Sequence, residues 1–87
     1  MAERLLQVEV VSHEGRLWHG TGASVQIPVV DGQLGVLPGR QPLLAQLAAG
    51  QVIVTTAEGA KTFAIEGGFA SVDSDFVTVV ADHGTVS

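Results

Sequence analysis

The chain has 87 residues, 46% of them hydrophobic, no cysteine, and a formal net charge of −5 from nine acids and four bases. That length suits a single domain burying about 60–65% of its unfolded surface and excludes two, while the missing cysteines exclude disulfides and thiolate metal sites. Arg4, Arg16, Arg40 and Lys61 are dispersed, so the cationic face on which phosphate affinity depends is lacking. With three Phe, one Trp and no Tyr there is also little material for base stacking, and no nucleic-acid partner is expected. The longest uncharged runs are broken by Gly, Pro, Gln and Ser, so neither a spanning helix nor a secretory segment is predicted, and no direct membrane insertion is expected.

Leu6, Val8 and Val10 alternate with Gln7 and Glu9, which predicts a one-faced strand from about Leu5 to Val11. Ser12 to Gly15 is a turn cluster. Arg16 to His19 carries the single Trp18 before Gly20-Thr21-Gly22, read as flexible, and a hairpin is predicted. Ala23, Val25, Ile27 and Val29 form the next one-faced strand. Pro28 cannot donate to a ladder, which places this strand at an edge or the proline at its end.

Asp31 to Leu47 is the most distinctive stretch. Gly32, Gly35 and Gly39 each permit φ > 0 or close backbone approach, Pro38 and Pro42 fix φ, and Pro38-Gly39 is a strong turn signal. Leucines on either side predict an apolar base that holds out one polar tip of Asp31, Gln33, Arg40 and Gln41. Leu43 to Ala48 alternates and is favoured as strand, Ala49-Gly50 reads as a turn, and the β-branched run Gln51 to Ala57 as another strand. Glu58-Gly59 closes a hairpin with Lys61 to Glu66. Gly67-Gly68 is predicted to end that strand, Phe69 to Val72 to be short, and Asp73-Ser74-Asp75 to be a polar turn. Phe76 to Ala81 is the last strand, with the adjacent Val79 and Val80 suggesting burial on both faces.

Turn signals recurring every roughly 8–12 residues, with no convincing helix, predict an all-β fold: a two-sheet β-sandwich or flattened barrel. About 8–10 short, mostly antiparallel strands are expected. Its predicted core is Leu6, Val8, Val10, Val25, Ile27, Val52, Val54, Phe63, Ile65, Val77 and Val79.

Catalytic and metal chemistry find little support. His13, His19 and His83 have no accompanying ligand motif at a recognised spacing. Ser12 and Ser24 lack a nucleophile elbow. Gly67-Gly68 leads into no helix and reads as a tight turn or bulge rather than a phosphate loop, and Asp73 with Asp75 lacks the rest of a calcium loop and reads as a solvated turn. No metal, cofactor or enzymatic activity is expected.

The run from Gly32 to Leu44, G-x-L-G-V-L-P-G-R-x-P-L-L, resembles the signature of the epsilon subunit of bacterial and chloroplast-type rotary ATP synthases. LQVEVVSHEGRLWHG before it, and FAIEGGFASV and VTVVADHG after it, extend the resemblance over nearly the whole chain in the same order. The family usually has a histidine where Arg40 stands, and often an acid where Gln33 stands. The resemblance implies a two-sheet sandwich in the central stalk of the rotor, bound to the gamma subunit and resting on the polar loops of the c-ring. It implies a non-catalytic subunit, peripheral on the cytoplasmic face of the inner (plasma) membrane as part of the F1 sector, that couples ion translocation to ATP synthesis. The ring-facing positions it implies are Asp31, Gln33, Arg40 and Gln41, shaped by Gly32, Gly35, Pro38, Gly39 and Pro42. Family members commonly continue into two C-terminal helices that brake hydrolysis and in some cases hold ATP. With the sequence ending at Ser87, residues 1–87 are expected to form one sandwich domain without that helical part and without ATP binding. The alternative from another class is a stand-alone β-sandwich adaptor or small-ligand-binding module that shares only the fold.

Overall fold

A computed structural model describes residues 4–86 of the chain. It contains eight strands: β1 (Leu6–Ser12), β2 (Gly15–Gly22), β3 (Ser24–Val29), β4 (Gly32–Val36), β5 (Leu43–Thr56), β6 (Gly59–Asp73), β7 (Phe76–Ala81) and β8 (Gly84–Val86). Among the described residues no helix is long and apolar enough to cross a membrane. The hydrogen-bonded order is β2-β1-β7-β6-β5-β3-β4, with β8 also on β6. Every pairing is antiparallel except β1 with β7.

This continuous ladder closes into two layers because its two longest strands bend together. β5 and β6 pair from Leu43↔Val72 to Thr56↔Gly59 in one register, interrupted only at Ala48 and Gly67. The inward-facing positions change parity there: Phe63 and Ile65 point inward before the break, and Gly68, Ala70 and Val72 after it. Gly67 and Gly68 adopt φ of 99° and 123°, a region that side chains disfavour. A Cβ on Gly68 would also fall on the Val80 carbonyl oxygen of β7. Such a bend is how a strand passes from one sheet of a sandwich to the other.

The predicted strand end at Gly67-Gly68 is therefore a bend within β6, and the predicted turn at Ala49-Gly50 lies inside β5. A Cβ on Gly50 would come within 2.8 Å of the Pro28 Cβ, so this glycine serves close packing rather than chain reversal. Pro28 itself is tolerated because the β3–β5 ladder ends at Gln26, leaving no donor needed beyond it.

Both layers face one core. All eleven predicted core residues are buried, joined by Val36, Leu47, Ala70, Val72 and Ala81. Trp18 lies against Phe63 with ring centroids 6.0 Å apart, and a Cβ on Gly20 would sit 2.7 Å from the Trp18 ring. A Cβ on Gly22 would likewise meet Val54 at 2.7 Å. Gly20 and Gly22, read from the sequence as flexible, are thus strand positions where β2 packs closely. β7 is buried on one face only, with Val79 fully inside and Val80 46% exposed. Phe76 to Ala81, predicted as the last strand, is followed by β8, which pairs with Phe63, Ala64 and Ile65.

Candidate functional site

The strand β4 organises the distinctive stretch. Val30 and Asp31 make the turn from β3, and Gly32 enters the strand at a φ of 131° that suits glycine. Gln33 pairs with Pro28 and Gly35 with Gln26. Gly35 takes no left-handed conformation, and a Cβ there would meet open space, so the expected special geometry is confined to Gly32 and Gly39. Beyond Val36 the Arg40 N–H donates to the Leu37 carbonyl at 3.3 Å, closing a turn with Pro38 second and Gly39, at φ 87°, third. This is the sequence chemistry of a type II turn.

Asp31, Gln33, Arg40 and Gln41 are all exposed, but they do not form one tip. Asp31 and Gln33 stand at one end of β4, and Arg40 with Gln41 lies past the other. At about 3.3 Å per residue the strand sets the two pairs on the order of 15–20 Å apart.

The Pro38-Gly39 turn is fastened elsewhere. Gly39 N–H donates to Asp75 Oδ1 at 2.8 Å, and Arg4 donates to Asp75 Oδ2 through Nε at 3.1 Å and Nη2 at 2.6 Å. The Gly39 N–H first, and the Arg4 guanidinium second, hold the Asp75 carboxyl below its ordinary range, because both stabilise the ionised form. Asp75 was expected to be a solvated turn residue, and the structure makes it a junction. No sequence motif marks it, since its partners lie 36 and 71 residues away.

The outward face of β5, β6, β7 and β1 is the other notable surface. Phe69 pairs with Val80 and Val80 with Val11, and Leu44 lies diagonally beside Phe69. Leu44 is 73% exposed and Phe69 56%. These residues form an apolar row that crosses four strands on a solvent-facing sheet. Leu37, next to the Pro38-Gly39 turn, and Phe76, next to Asp75, are also exposed.

The histidines are divided. His83 Nδ1 lies 3.2 Å from Glu14 Oε2 and its ring is edge-on to His13 at 6.5 Å, beside a hollow of about 490 Å³ between the β1–β2 turn and β8. The hydrogen bond from His83, then that from Ser12, lowers the Glu14 pKa. His19 stands apart on β2 opposite Glu9. Among the described residues no three His, Cys, Asp or Glu are grouped to hold a metal ion.

The fold defines a β-sandwich domain that carries an exposed apolar patch on one sheet and a loop braced by Asp75. Residues 5–85 match the family described as "ATP synthase, Delta/Epsilon chain, beta-sandwich domain", and the chain belongs to that family. It is 45% identical over 82 residues to the ATP synthase epsilon chain of Micrococcus luteus, covering 93% of this chain and 88% of that one. To the epsilon chain of Corynebacterium urealyticum it is 48% identical over 84 residues, covering 94% and 66% respectively. Among solved structures it is similar to a chain of the Euglena gracilis mitochondrial ATP synthase, described as OSCP/F1/c-ring, with a TM-score of 0.85 and 25% identity. That match covers 94% of this chain and 53% of the Euglena chain. A central stalk/c-ring chain of the Tetrahymena thermophila enzyme shares the fold, with a TM-score of 0.73 at 13% identity.

Proposed function

We propose that this chain is a non-catalytic rotor subunit of an F1Fo ATP synthase, fastening the gamma subunit to the membrane c-ring and so coupling ion translocation to ATP synthesis. It works peripherally, on the cytoplasmic face of the inner (plasma) membrane. The observation that carries the reading is the apolar row Leu44, Phe69, Val80 and Val11 on an otherwise solvent-facing sheet, in a chain whose relatives are epsilon chains. In this reading the row is the gamma-facing surface. The outermost strands β2 and β4 carry no comparable apolar row. Arg40 and Gln41 face the ring from the braced loop, and Asp31 with Gln33 forms a second contact at the opposite end of β4. A stiff all-β body suits the task, because a connector that yields under torque lets the ring slip.

Binding measurements on assembled complexes test both surfaces in one experiment. Phe69→Ser is expected to weaken binding to the gamma subunit, and Arg40→Glu, which reverses an exposed charge, to weaken attachment to the ring. Both are expected to leave the stability of the chain within about 1 kcal/mol of wild type, as surface changes do. Wild-type binding of Phe69→Ser to gamma would remove the apolar row from the interface, and wild-type coupling by Arg40→Glu would remove Arg40. A chain that binds neither partner would favour the stand-alone adaptor.

A further inference from the structure

We propose that Asp75 is a positioning residue for the 37–42 loop: its carboxylate, seated on the Gly39 N–H and the Arg4 guanidinium, clamps the Pro38-Gly39 turn to the β6–β7 turn and sets the pose of Arg40 and Gln41. The inference deepens the ring-contact reading above and rests on it for its functional consequence.

The loop joining β4 to β5 pairs with no strand. Within it the Arg40-to-Leu37 bond closes the turn locally. Among the described residues, the Gly39–Asp75 bond is the one hydrogen bond tying this segment to a distant part of the chain. Arg4 completes the junction: its Nη1 lies 3.2 Å from where a Gly39 Cβ would stand, so the guanidinium covers the open side of that glycine while holding Asp75. The carboxylate therefore bridges two cationic or donor groups from separate segments, and hydrogen bonds to an ionised acceptor are the stronger kind.

Asp75 is itself held from behind. Its carbonyl accepts the Gln7 N–H at 2.8 Å, which ties the β6–β7 turn to β1. Ser74 and Asp75 both take positive φ, 51° and 66°, in a two-residue hairpin turn where glycine would be the unstrained choice. An aspartate tolerates this conformation better than most residues but less well than glycine. The side chain here thus has an energetic cost that the turn itself does not require, and its three outward contacts account for it. Strain of this kind persists only where surrounding bonds over-determine the geometry, which is what Gln7, Gly39 and Arg4 do.

The positioning role separates from a merely structural one in the variant Asp75→Gly. Glycine accepts the φ of 66° without strain, so the hairpin is retained while the clamp is removed. Trypsin cleavage of the Arg40–Gln41 bond and hydrogen exchange at the Gly39 amide read the loop directly in the full chain. Both are expected to accelerate about tenfold in Asp75→Gly at nearly unchanged melting temperature. Asp75→Asn, which keeps an acceptor oxygen but loses the charge, is expected to fall between, and Asp73→Asn on the neighbouring exposed carboxylate to match wild type. Unchanged cleavage and exchange in Asp75→Gly would overturn the clamp. If that variant does not fold, unchanged Gly39 exchange in Asp75→Asn would overturn it equally.

Ring attachment of the assembled complexes then distinguishes the clamp from the reading beneath it. Loss of attachment in both Asp75→Gly and Arg40→Glu supports the positioning role. A loop freed in Asp75→Gly with attachment intact, while Arg40→Glu weakens it, overturns positioning and leaves the ring contact standing. Intact attachment in both variants overturns the ring contact and, with it, the functional role assigned to Asp75.

Discussion

Replacing Gly68 by alanine should do more damage than the loss of most core side chains, although it removes no contact. Two separable penalties arise at this position. The φ of 123° lies where only glycine is comfortable, a strain of about 1–3 kcal/mol for a residue with a Cβ. In addition, the new methyl group would land on the Val80 carbonyl oxygen and within 2.8 Å of the Ala81 Cα. The Gly68↔Ala81 and Phe69↔Val80 pairs must then part, and each buried backbone group left unpaired costs about 1–3 kcal/mol. The total is about 3–6 kcal/mol, against a whole-domain stability of roughly 4–13 kcal/mol at this length. At about 4–8 °C per kcal/mol, the midpoint should fall by more than about 12 °C.

Two other glycines separate the terms. Gly59 has a φ of 114° but open space around its Cβ position, so Gly59→Ala carries strain alone. Gly35 has open space and no positive φ, so Gly35→Ala carries neither. Urea titrations of all three should order them Gly35, Gly59, Gly68 by increasing loss. A Gly68→Ala protein as stable as Gly59→Ala to within about 1 kcal/mol would refute the collision, and with it the account of the bend as a forced contact between β6 and β7.

Phe63→Ala, which empties the centre of the core and removes the support of Trp18, should cost about 3–5 kcal/mol in a denaturant titration. Acid stability should depend on Asp75: because its folded pKa lies below the ordinary value of 3.8, its contribution is complete above that value and is lost as pH falls through the lower folded pKa. Asp75→Asn should therefore flatten the part of the stability curve below about pH 4, and a curve with the wild-type slope there would show that the junction is not maintained in solution.

How much was legible in the sequence follows the range of the interactions involved. The alternation in Leu6–Val10, Val25–Ile27, Val52–Val54, Phe63–Ile65 and Val77–Val79 named core residues correctly because strand side chains face opposite sides at each step, whatever the strand pairs with. The Pro38-Gly39 turn was legible for the same local reason, since its φ preferences belong to those two residues. Gly50 and Gly67-Gly68 misled because a glycine signals a special backbone or a close neighbour without saying which. At Gly50 the neighbour is Pro28, and at Gly68 it is the backbone of β7.

The sequence by itself thus determined an all-β class, eleven of the core residues, the site of the Pro38-Gly39 turn and the family. The tertiary structure alone decided that Asp31 and Arg40 stand at opposite ends of β4, that exposed Leu44, Phe69 and Val80 align in one row with the half-buried Val11, and that Asp75 grips Gly39. Each of these depends on strand register or on residues brought together from far apart in the chain. Periodicity records which side a residue faces, whereas its neighbours across the sheet are set by how the whole ladder pairs and bends.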